Sequence, residues 1–94
     1  MARKEDSYDL MLEAVGQMYK DVGKAREAIA KAMGEVATAH SSASYVQERY
    51  LYLGDKKYDD EGEMGEDVKA LLSMVFTQLD KALELADDAI DRLE

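Results

Sequence analysis

The stretch YDLMLEAVGQMYKDVGKAREAIAKAMGEVATAHSSASYVQERYLYL, residues 8–53, decides the fold. Read at alternating steps of three and four, it gives Tyr8, Met11, Val15, Met18, Val22, Ala25, Ile29, Ala32, Val36, Ala39, Ala43, Val46, Tyr50 and Leu53. No member of that line is polar and its phase never changes. A 3.5-residue repeat held for more than six heptads predicts one long helix packed along its whole length. At about 1.5 Å per residue it would reach roughly 70 Å, well beyond the width of a small globule. Gly16, Gly23 and Gly34 fall inside it and each should cost about 1 kcal/mol relative to alanine. None shifts the seam, so they read as tolerated positions rather than breaks.

With Tyr8 at heptad position a, the b positions carry small residues from Gly16 through Gly23, Ala30 and Ala37 to Ser44. Small side chains there and at Ala25, Ala32, Ala39 and Ala43 would let a neighbouring helix come close. The e positions add Leu12, Tyr19 and Met33, widening the apolar face towards what a bundle requires.

Leu53-Gly54-Asp55 reads as the end of this helix, with Gly54 as a left-handed cap. Residues 54–65 are acidic and contain Gly62 and Gly65, which predicts a loop. A second helix is expected over 66–93, with Val68, Leu72, Val75, Leu79, Ala82, Ala86, Ala89 and Leu93 as its seam. Residues 1–7 read as a flexible lead-in.

These two helices differ in length. Folded back from the loop, the second covers the first only to about residue 23. Tyr8, Leu10, Met11, Leu12, Val15, Met18, Tyr19 and Val22 would then stand in water, although burying one Leu or Met contributes about 1.5–3 kcal/mol. Either the chain bends near Gly23 into a third helix, or a second copy covers the overhang. An intact phase favours the second copy. The expected fold is therefore an all-α helical hairpin dimerising into an elongated four-helix bundle, with Tyr8, Met11, Leu12, Val15, Met18, Tyr19 and Val22 as self-association residues.

Composition agrees with an all-helical chain: 94 residues, no proline, no cysteine and a single histidine. Neither disulfides nor thiolate metal sites are available. The charged start leads into no apolar segment, so no secretory signal is expected, and apolar runs are too short for a membrane span. A cytoplasmic location is the expectation. The formal net charge of −9 is uneven, with −1 in residues 1–53 and −8 in residues 54–94. That balance disfavours direct contact with nucleic acid or anionic lipid.

Catalysis is poorly provided for. His40 falls on a helix flank, and Ser41 and Ser42 have no paired acid and base at triad-like positions. The acidic loop does not match a calcium-binding loop, because aligning Gly62 with the turn glycine puts Lys57 and Val68 where oxygen ligands belong. No cofactor, metal or catalytic residue is expected.

Tyr45, Tyr50, Tyr52 and Tyr58 crowd into fourteen residues. Tyr45 and Tyr52 both sit at position c, with Arg49 between them. Tyr and Arg are the residue types that interfaces concentrate, so Tyr45, Arg49 and Tyr52 form the expected site for a protein partner. The function implied is that of a non-enzymatic interaction or adaptor protein, or of a subunit in an assembly. An alternative is an acidic mimic of nucleic acid that occupies a basic groove. Its motivation is the seven-residue recurrence of Asp80, Asp87 and Glu94, about 10.5 Å apart at helical rise, with Glu84 and Asp91 beside them.

Overall fold

The computed structural model describes residues 2–52 and 56–94, and the side chains from residue 7 onward apart from residue 52. Helix α1 spans Ala2–Gln47 and runs on into a π-helical segment, Glu48–Tyr52. A 3-10 turn, Lys56–Tyr58, leads into helix α2, Asp59–Leu93. The two long helices form a hairpin. It measures 80 × 17 × 13 Å, with a radius of gyration of 22.1 Å, where a compact chain of this length would have about 12 Å.

α1 passes through Gly16, Gly23 and Gly34 without interruption. No bend doubles the chain back at Gly23, in keeping with the unbroken seam. A side chain added at any of these three glycines would meet nothing within 4 Å, so at Gly16 and Gly23 the b-position stripe of small residues holds no close-packed neighbour within the hairpin.

Close approach occurs elsewhere, in the stretch expected to be a loop. α2 starts at Asp59, seven positions before the expected 66, and both Gly62 and Gly65 are buried within it. A Cβ on Gly62 would lie 2.7 Å from the backbone nitrogen of Leu51, and one on Gly65 2.9 Å from the Ala43 carbonyl oxygen. The two glycines are therefore contact points between helices, not breakers of one. Asp59, Asp60 and Glu61 occupy the first turn, where carboxylates stabilise the positive pole of the helix. The expected loop over 54–65 is corrected accordingly. The lead-in over residues 1–7 is corrected too, since the helical backbone starts at Ala2; the proposed Gly54 cap lies outside the described residues. Around the turn, Tyr58 meets Tyr50 edge-on at 5.4 Å between ring centroids, and the Lys57 ammonium sits 5.5 Å from the Tyr58 ring.

Side-chain pairs cross between the antiparallel helices. Lys69 Nζ donates to Gln47 Oε1 at 3.3 Å, Arg26 pairs with Asp87, and the Tyr19 hydroxyl reaches Glu94 Oε1 at 3.5 Å. Because α2 starts early, it also reaches further, to the level of Tyr19 rather than residue 23. Val22 is half-buried by the hairpin itself. Residues 7–18 are exposed without exception.

Candidate interaction surface

The hairpin does not bury the line that the sequence marks as most apolar. Facing α2 are the a positions of α1 (Val22, Ile29, Val36, Ala43, Tyr50) and the e positions Arg26, Met33, His40 and Gln47, all buried or half-buried. That second line is largely polar, and it is satisfied by polar partners on α2: Asp87 for Arg26 and Lys69 for Gln47. The apolar d line turns partly away, leaving Met18, Ala25 and Ala39 exposed and Ala32 and Val46 half-covered.

α2 shows the same division. Its hairpin seam runs Gly62, Gly65, Lys69, Leu72, Phe76, Leu79, Leu83, Ala86, Ile90, Leu93, at alternating steps of three and four, all buried or half-buried except Phe76 at 39% exposed. The seam expected from sequence shares Leu72, Leu79, Ala86 and Leu93 with it but takes Val68, Val75, Ala82 and Ala89 from the far flank. Val68 and Val75 are exposed, at 41% and 42%, and beyond them Met64, Leu71 and Leu85 stand at 58–61%. Met64, Leu71 and Leu85 recur at multiples of seven. That spacing is the sequence signal of a second apolar line on α2, which the expected self-association residues, all on α1, do not include.

The uncovered lines of both helices lie on one face of the hairpin. Between them runs an open groove of about 380 Å³, bordered by Ala39, Ser42, Ala43 and Val46 of α1 and by Met64, Gly65, Val68 and Leu72 of α2. In the N-terminal arm of α1, beyond the reach of α2, Tyr8, Met11, Leu12, Val15, Met18 and Tyr19 are 42–58% exposed. Of the described side chains, Ala43 is the one hydrophobic group that is buried, at 7%. The hairpin by itself has almost no core.

The tyrosine patch is partly in view. Tyr45 is 60% exposed and Arg49 is exposed. The Tyr52 side chain lies outside the described residues. Its backbone belongs to the π-helical segment, whose wider turn interrupts the heptad phase that set Tyr52 one repeat beyond Tyr45.

His40 is half-buried beside Leu72 and Phe76, and the Ser42 hydroxyl donates to the Thr38 carbonyl at 3.3 Å. Among the described residues no three His, Cys, Asp or Glu side chains are grouped to hold a metal ion, and no described helix is long and apolar enough to cross a membrane. Asp80, Glu84, Asp88 and Asp91 face solvent. Asp87 pairs with Arg26 across the hairpin, its side chain still 48% exposed. Glu94 is held by Tyr19. The acidic row at seven-residue spacing is thus partly engaged within the hairpin. No family model, curated protein or solved structure matches the chain.

Proposed function

We propose that the chain is a non-enzymatic helical assembly protein: two hairpins pair through their apolar faces into an elongated four-helix bundle that presents the Tyr45–Arg49 surface to a protein partner. The observation that carries this reading is the inverted polarity of the two lines. A mixed polar e line shares the hairpin interface with the a line, while the d line of α1 is left exposed at Met11, Met18, Ala25 and Ala39, and Val68 and Val75 of α2 stay exposed beside it.

Surface area supports it. The chain exposes 7477 Å², where a compact monomer of its mass would expose roughly 5,400 Å². That excess of about 2,000 Å² per chain is of the size an obligate homodimer interface removes, about 2,000–5,000 Å² over both chains.

Light scattering coupled to size-exclusion chromatography tests the assembly. A particle of twice the chain mass is expected, and a stable monomer ends the reading. The partner surface is tested separately, by affinity capture from the native source with wild type and with Tyr45→Ala combined with Arg49→Ala. The variant should keep its helicity and its mass in solution while releasing the partner, and equal capture by both removes the patch.

A further inference from the structure

We infer that the second copy lies antiparallel, so that the N-terminal arm of each hairpin fills the groove at the turn end of the other. This rests on the self-association reading and adds polarity to it.

Side-chain size along the apolar face carries the inference. The arm ahead of the end of α2 bears large groups, with Met11 and Met18 at successive d positions, 46% and 45% exposed. Further along the same line the d positions become Ala25, Ala32 and Ala39. The groove begins at Ala39 and has small Ser42, Ala43 and Gly65 along its floor, between the larger Val46, Met64, Val68 and Leu72. Interiors reach their usual density when large groups oppose small ones. A parallel pair would set Met11 and Met18 against their own copies and Ala39 against Ala39, crowding one end and leaving a void at the other. An antiparallel pair matches large to small at both ends by one two-fold axis, the commonest dimer symmetry.

Coverage gives the same polarity. Residues 7–18 extend beyond the reach of α2, a length of roughly 18 Å at helical rise. In a parallel pair both arms would project from the same end, with only each other for cover. In the antiparallel pair each arm meets two helices of its neighbour, α1 and α2 together, where they border the groove.

The chain has no cysteine, so single spin labels report the arrangement directly. Glu13→Cys, Glu27→Cys and Glu48→Cys place a nitroxide on three exposed sites of one outward line, remote from the apolar face. Pulsed electron paramagnetic resonance on each labelled dimer should give a short distance at 27 and long ones at 13 and 48. Each residue away from the two-fold adds about 3 Å of axial separation, hence roughly 40 Å between labels at 13. Three similar distances in a particle of twice the chain mass would overturn the antiparallel order and leave self-association standing. A monomer with no intermolecular distance would overturn both. A monomer that binds neutral phosphatidylcholine vesicles would give the face to a lipid surface instead, and would likewise overturn the inference.

Discussion

At the turn end, α1 and α2 approach until Gly62 and Gly65 leave no room for a methyl group, whereas at the other end α1 runs on alone with Tyr8, Met11, Leu12 and Val15 in solvent. Both ends belong to one continuous pattern of apolar residues, so pattern alone does not say which part is packed. Proximity of the backbones decides it. Small residues in the α2 turn let local contacts close, and large residues in the arm have no local surface to meet. What separates the two regions is whether the partner for the apolar line exists within the same chain.

The largest effect should come from charging the arm. Met11→Asp together with Met18→Asp removes two side chains per copy that would each contribute about 1.5–3 kcal/mol on burial. Association should weaken by roughly a thousandfold or more, read by sedimentation equilibrium, with helicity at the turn end retained. Undiminished association would mean that the arm is bare in the assembly as well, and the contrast between the ends would lose its meaning.

Next in size is the turn end itself. Gly65→Ala drives a methyl group against the Ala43 carbonyl and the Gln47 nitrogen, both backbone atoms that cannot swing aside. Overpacking of this kind costs about 1–3 kcal/mol, visible as a lower midpoint in thermal unfolding followed by circular dichroism. A neutral outcome would show that the helices separate there with ease.

Gly16→Ala and Gly34→Ala sharpen the comparison from the opposite side. Nothing lies within 4 Å of either position, and each replacement should add up to about 1 kcal/mol through helix propensity. They also lie away from the apolar face, so association should be unchanged. Loss of association in Gly16→Ala would place a neighbour against the small-residue stripe.

Smallest is the Arg26–Asp87 pair. Both side chains are well exposed, at 41% and 48%, and water screens such pairs. A double-mutant cycle with alanine at both positions should yield a coupling of less than about 1 kcal/mol. A markedly larger coupling would make this pair, and not the glycine contacts, the anchor of the register.

Much of the architecture was legible in residues 8–53, because a phase that survives three glycines leaves no place for a bend. The start of α2 was not. Gly62 and Gly65 read as turn residues in the sequence, since glycine in an acidic stretch commonly is one. Yet both stand in step with Leu72, Leu79 and Leu93 at intervals of three and four, a signal that their lack of side chains hides from any search for apolar groups. The choice of seam failed for a related reason. The sequence favours the line with the most apolar members, but the hairpin buries one containing Arg26, His40 and Gln47, because Asp87 and Lys69 stand opposite two of them. Cross-helix pairing of that kind depends on register, which single-helix periodicity does not contain. The tyrosine patch was legible as composition, and the π-helical segment that upsets its spacing was not.

The glycine contacts also bear on the order in which the chain assembles. Leu51 and Gly62 are joined by a short connection, whereas Tyr19 and Glu94 are 75 positions apart. Scaling of closure entropy with chain length makes the distant contact about 2 kcal/mol harder to form first. Zippering should therefore begin beside the turn, where Gly62 and Gly65 lie against the backbone of Leu51, Ala43 and Gln47, and run towards the free termini. The arm of residues 7–18 comes last in that sequence, still unclaimed when the rest of the hairpin has formed.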